Sequence, residues 1–154
     1  MAQSTVLPLA LLYVDGSREI DGATRFQKLI FIAQQETPLG QPFDYREDKY
    51  GPFSPELYAT LDELERRNLI EKNVRTNRSG NEKYTYHLTP QGRRAVQDLR
   101  EKIDEDTFNR ILQEAQKVKT QYNEMPLDRL LRYVYSKYPE YTSESELDEF
   151  KPSD

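Results

Sequence analysis

"SPELYATLDELERRNLIEKNVRTNRSGNEKYTYHLTPQGRRAV", residues 54–96, contains two helix starts, one polar turn and two strand-like segments. Ser54-Pro55-Glu56 opens a helix: the serine side chain accepts from free backbone N–H groups, proline suits the first helical position, and glutamate favours the positive helix end. Leu57, Leu61 and Leu64 then fall on one face, and Asn68, which tolerates a left-handed conformation, predicts the stop. From Leu69 to Thr76 the chain reads as a strand. The polar "NRSGN" turn leads into the alternating "KYTYHL", with Tyr84, Tyr86 and Leu88 on one side and Lys83, Thr85 and His87 on the other. Thr89-Pro90 repeats the cap-then-proline start, and Val96, Leu99 and Ile103 give the next helix its apolar stripe.

Upstream, Val6 to Val14 reads as a short buried helix with Pro8 in its first turn. In "ATRFQKLIFIAQQE" the residues Phe26, Leu29, Ile30 and Ala33 share a helix face that Phe31 and Ile32 widen, which predicts burial on most sides. Pro38, Gly40 and Pro42 break that helix, and a loop follows with an extended segment near Tyr45 to Tyr50. Downstream, the register slips at Asp104 to Asp106. Phe108, Ile111, Ala115, Val118 and Tyr122 then recur at the seam spacing of helices that pack on a partner helix. Met125-Pro126 interrupts, and Leu127, Leu130, Leu131, Val134 and Tyr138 line a last amphipathic helix. The expected class is mainly α with a small β-hairpin wing: a winged helix-turn-helix with a C-terminal helical extension. The expected division is residues 1–104 for the winged domain, 105–141 for an extension used in dimerisation or partner docking, and 142–154 for an acidic, partly disordered tail.

Order and motifs also carry a resemblance. The span Leu57 to Val96, with its "LERRNLI"-type helix end and "LTPQGRRAV"-type wing closure, resembles the winged half of PadR-like and MarR-like regulators. "RFQKLIFIAQ", followed by "PF" and "KYGPFSPELY", looks like the Panacea domain of SocA-like antitoxins and related YwgA-type prokaryotic proteins; that likeness covers about residues 25–58. The complete wing and long helical C-terminus depart from the Panacea pattern. Together the resemblances imply a prokaryotic, cytoplasmic protein that either regulates transcription by binding duplex DNA or neutralises a toxin or other protein partner.

Charge distribution bears on that choice. The formal net charge is −5, yet residues 66–100 hold nine basic and three acidic side chains, leaving 13 basic against 24 acidic elsewhere. One basic segment in an otherwise acidic chain fits a face that meets a polyanion. The residues expected to touch DNA are Ser54, Thr60, Arg66 and Arg67 around the third helix, with Arg75, Asn77, Arg78 and Lys83 in the wing. Asp62, Glu63 and Glu65 oppose this, because a phosphate backbone repels them. Phe108, Ile111, Val118, Tyr122 and Tyr133 are the expected homodimer or partner interface.

Other chemistries find little support. With no cysteine and a single histidine, His87, on a strand, the chain offers no zinc ligand set, and it has no glycine-rich phosphate loop. The carboxylate pairs Asp62/Glu63 and Asp104/Asp106 sit in charged helical stretches and read as solvated faces. No catalytic residue, metal or cofactor is expected. The apolar run Val6 to Val14 is too short to span a bilayer and follows no basic residue, so neither a membrane anchor nor a leader is predicted.

Overall fold

The computed structural model describes residues 3–49 and 51–142. Their order is α1 (Gln3–Ser17), β1 (Ile20–Asp21), α2 (Ala23–Glu36), β2 (Arg46–Asp48), β3 (Gly51–Phe53), α3 (Pro55–Arg66), β4 (Ile70–Thr76), β5 (Glu82–Leu88), α4 (Pro90–Lys102), α5 (Glu105–Tyr122), α6 (Leu127–Lys137) and a 3₁₀ turn at Pro139–Tyr141. β4 and β5 pair antiparallel from Ile70↔Leu88 to Thr76↔Glu82, and β1 adds to the free edge of β5 through Ile20↔Tyr86, giving the sheet order β1-β5-β4. Helices α1 to α3 followed by this sheet form a winged helix. Between α2 and α3 the turn is enlarged by the β2–β3 hairpin.

The local signals act as the sequence predicts. Ser54 Oγ accepts from Leu57 N–H at 3.2 Å, Thr89 Oγ1 accepts from Gly92 N–H at 3.0 Å, and Asn68 ends α3 at φ 60°. Asp104, where the apolar register slips, caps α5 by accepting from Thr107 N–H at 3.0 Å. Two elements differ. The first helix begins at Gln3, which places Pro8 inside it rather than in the first turn, and β1 is a strand with no sequence signal of its own.

One core runs from α1 to α6. Phe31 sits at its centre, meeting Tyr45, Tyr138 and Tyr141 edge-on with ring centroids 5.0 Å away in each case. Here the reading of the α5 seam is corrected. Phe108, Ala115, Val118 and Tyr122 are buried, and Ile111 and Tyr133 pack partly buried against the same core. The partner helices that the seam spacing calls for are α1 and α2 of the same chain, so Phe108, Val118 and Tyr122 do not present a free face to a second protein, while Ile111 and Tyr133 keep part of their surface exposed. Of the expected tail, residues 142–154, only Thr142 is described, buried with its hydroxyl donating to the Pro139 carbonyl at 2.8 Å; residues 143–154 lie outside the described residues.

Two lysines are buried with the core. Lys119, on α5, donates to the Leu12 and Val14 carbonyls at 3.4 and 2.9 Å, satisfying acceptors that the end of α1 leaves open where Asp15, Gly16 and Ser17 turn left-handed. Lys28, on α2, donates to the Pro52 carbonyl at 3.1 Å. Burial lowers both ammonium groups from 10.5 to about 8, against the attraction of Asp15 for Lys119 and of Asp48 for Lys28. Burial also raises the phenols of Tyr45, Tyr86, Tyr122 and Tyr138 above their ordinary 10.

These shifts predict a stability maximum at alkaline pH. Between pH 8 and 10 the unfolded chain keeps the two lysine protons that the folded chain has lost, so stability rises with pH, by at most about 1.4 kcal/mol per unit for each group. Above about pH 10 the unfolded tyrosines lose their protons before the folded ones, so stability falls. Urea midpoints measured from pH 7 to 11 are expected to peak near pH 10, and Lys28→Met should flatten the rise. A midpoint that declines steadily from pH 7.5 contradicts the lysine placement.

Candidate nucleic-acid interface

Asn77 builds the wing tip. Its Oδ1 accepts from Ser79 N–H at 3.0 Å and Asn81 N–H at 2.9 Å, its carbonyl accepts from Gly80 N–H at 3.0 Å, and its own N–H donates to the Asn81 carbonyl at 2.9 Å. Such a side chain, acting as a local acceptor, closes the turn that Gly80 at φ +84° completes. Asn77 was expected to contact DNA; its oxygen is already used to shape the loop. Around it Arg75, Arg78 and Lys83 stand exposed, with no ion pair to any described residue. Arg75 and Lys83 are direct cross-strand partners. Like charges facing each other across a ladder weaken it, so this pair works against the hairpin unless an anion lies between.

At the base of the wing the field differs. α3 buries Leu57, Leu61 and Leu64 and exposes Glu56, Ala59, Asp62, Glu63, Glu65 and Arg66. The Tyr86 phenol is raised mainly by burial, and then by its neighbours Tyr58, Glu65 and Asp62, which places those acids on the flank of α3 turned toward the sheet. Six residue steps of β4 separate this acidic base from the cationic tip, about 20 Å at strand rise. On the apolar side of the sheet Lys72 lies over the Tyr84 ring at 5.0 Å, and Val74 is 53% exposed.

The remaining expected contacts divide. Ser54 is fully buried; besides capping α3, its hydroxyl donates to Glu56 at 3.0 Å and its backbone N–H donates to Gln27 at 3.0 Å. It cannot reach a phosphate, and that expectation is corrected: a cap serine and a phosphate-binding serine look alike in sequence. Thr60 is half-buried on one flank of α3. Arg66 is exposed and pairs with Glu63 at 2.8 Å, while Arg67 is exposed and unpaired among the described residues. Arg93 and Arg94 are exposed on the first turns of α4, Arg93 on the side that borders Tyr13, Gln113 and Lys117. Their helix is tied to the end of α3 by the Thr89 hydroxyl donating to the Asn68 carbonyl at 2.6 Å and by the Asn68 amide donating to Gln91. The signal was present in "TPQGRR", a basic pair just after a helix start.

His87 stands apart from this surface chemistry, 3.3 Å from Glu71 and 3.4 Å from Asn73. Among the described residues no cluster of three His, Cys, Asp or Glu side chains is placed to hold a metal ion, and no helix is long and apolar enough to cross a membrane.

A search of curated proteins finds no match. The sequence model of the Transcriptional regulator PadR-like family matches residues 46–98, about a third of the chain, from β2 through the wing into α4. The matched span takes in α3 and the whole wing, so the similarity to that family falls on the elements that carry the candidate interface.

Proposed function

We propose that this protein is a DNA-binding transcriptional regulator whose wing grips the phosphate backbone while α3 approaches the major groove. The observation that carries the reading is the cationic tip: Arg75, Arg78 and Lys83, exposed and without a counter-ion among the described residues, two of them facing each other across the hairpin. A phosphate between such groups removes their repulsion and releases counterions. The similarity of residues 46–98 to PadR-like transcriptional regulators supports the same reading. Asn77 holds the loop and does not read bases. The acids of α3 bias the protein away from non-specific binding, because they repel any duplex that α3 does not fit.

The test is a pair of opposed variants in a duplex-binding titration. Replacing Arg75, Arg78 and Lys83 together with alanine is expected to weaken binding roughly 10- to 100-fold near 100 mM salt and to reduce the salt slope by about 3. Asp62→Asn with Glu65→Gln is expected to tighten it. Unchanged affinity in the triple variant would sink the wing assignment.

The reading extends to a homodimer, since helix-turn-helix proteins commonly set two reading helices one DNA turn apart. Sedimentation equilibrium at twice the 18.2 kDa chain mass supports this; the single mass refutes it. A second reading, a protein-binding winged helix of the antitoxin or adaptor kind, is favoured by one observation. Exposed Asp62 and Glu65 share the flank of α3 that carries Tyr58, itself 43% exposed, as suits a cationic protein partner.

A further inference from the structure

Beneath Tyr58 lies a cavity of about 300 Å³ bounded by Ala23, Thr24 and Lys28 of α2, Asp48 and Phe53 of the β2–β3 hairpin, and Tyr58 of α3. Its size is at the low end for a small-molecule site. The Phe53 and Tyr58 rings, 6.0 Å apart, give it an aromatic wall. Lys28 is 2% exposed, and among the described residues its ammonium has one hydrogen-bond acceptor, the Pro52 carbonyl. An ammonium carries three donors, so two remain for whatever occupies the cavity.

We propose that this cavity binds small, flat aldehydes and captures them on Lys28 as an imine. Shape and charge both favour that class. Asp48 already opposes the Lys28 charge, so a carboxylate entering here would meet a carboxylate, whereas an uncharged carbonyl oxygen simply accepts one of the free N–H donors. Lys49 stands exposed at the rim. In the reaction the uncharged Lys28 amine attacks the carbonyl carbon and a C–N bond forms. The carbonyl oxygen then leaves as water, carrying two hydrogens in the net balance, and no oxidant or reductant is needed. Burial supplies the uncharged amine: with the ammonium lowered to about 8, roughly a quarter is neutral at pH 7.5, against about one part in a thousand for an ordinary lysine.

Benzaldehyde with cyanoborohydride tests this on the full chain, because reduction converts any imine into a stable benzyl amine that peptide mass spectrometry locates. Lys28 is expected to be modified at least about ten times faster than exposed Lys83 and Lys137 in the same digest. The preference should vanish in urea, where every lysine is ordinary. Modification of Lys28 at or below the rate of the exposed lysines overturns the proposal. DNA binding is not part of the readout, so the result stands apart from the regulator reading.

Discussion

Gly92→Ala is expected to cost at least about 4 kcal/mol, a large share of the 5–15 kcal/mol typical of a domain. Ordinarily the change would help, since alanine is preferred to glycine inside a helix by about 1 kcal/mol. Here the space is already taken. A Cβ on Gly92 would fall on the Leu69 carbonyl oxygen, well inside contact distance, and 2.9 Å from Leu88 Cδ2. The carbonyl cannot retreat, because it accepts from Thr89 N–H at 3.2 Å, the bond that joins the end of α3 to the start of α4. Relief therefore requires separating α4 from the base of the wing. Urea unfolding of Gly92→Ala checks this; a loss below about 1 kcal/mol would show that the two elements are not packed as described.

Phe31→Ala carries the second largest effect. Truncating a fully buried phenylalanine costs about 3–5 kcal/mol through lost burial and the cavity left behind. Each of the three edge-on ring contacts adds about 0.5–1.5 kcal/mol of geometry-specific attraction. Two of those contacts, to Tyr138 and Tyr141, fasten the C-terminal segment to α2. Nearby, Glu36 accepts from Tyr133 and Tyr138 at 2.7 Å each and from Tyr122 at 3.3 Å, with Lys137 at 3.2 Å. Burial alone would raise the Glu36 carboxyl, but these donors and the lysine charge hold it below its ordinary value. Hydrogen exchange in Phe31→Ala should therefore show α6 losing protection first, with Glu36 and the buried side chains of Leu130 and Val134 left to hold it. Equal protection of α6 in variant and parent would contradict the shared core.

How much of this could be read from sequence depends on how local each determinant is. Ser54, Asn68 and Thr89 act within a turn of themselves, and their caps were legible as residue types beside an apolar period; Asp104 caps α5 just as locally, but showed in the sequence only as a slip of the apolar register. The strand Ile20–Asp21 was not: two residues have no alternation to read, and its pairing comes from β5, more than 60 positions away. Periodicity showed that α5 has an apolar seam, but not what covers it, since a helix of the same chain and a helix of another satisfy the same spacing. The wing cations were legible because exposed charge beside a glycine turn needs no partner. Ser54 and Asn77 both read as DNA contacts because a hydroxyl that caps a helix is the same group that donates to a phosphate, and an amide that closes a turn is the same group that reads a base edge; sequence alone does not separate the two uses. Neither the cavity nor buried Lys28 was signalled; a lysine among Phe26, Gln27 and Leu29 looks like the polar side of a helix.

A cationic wing tip that meets a phosphate backbone makes duplex affinity fall as salt rises. Fluorescence anisotropy of a labelled duplex, titrated with the parent chain at several salt concentrations from about 25 to 200 mM, measures that dependence. Binding is expected at the lowest salt and should weaken with a log–log slope of about −3 or steeper, as three neutralised phosphates require. No binding at the lowest salt, or affinity that does not change with salt, would contradict it.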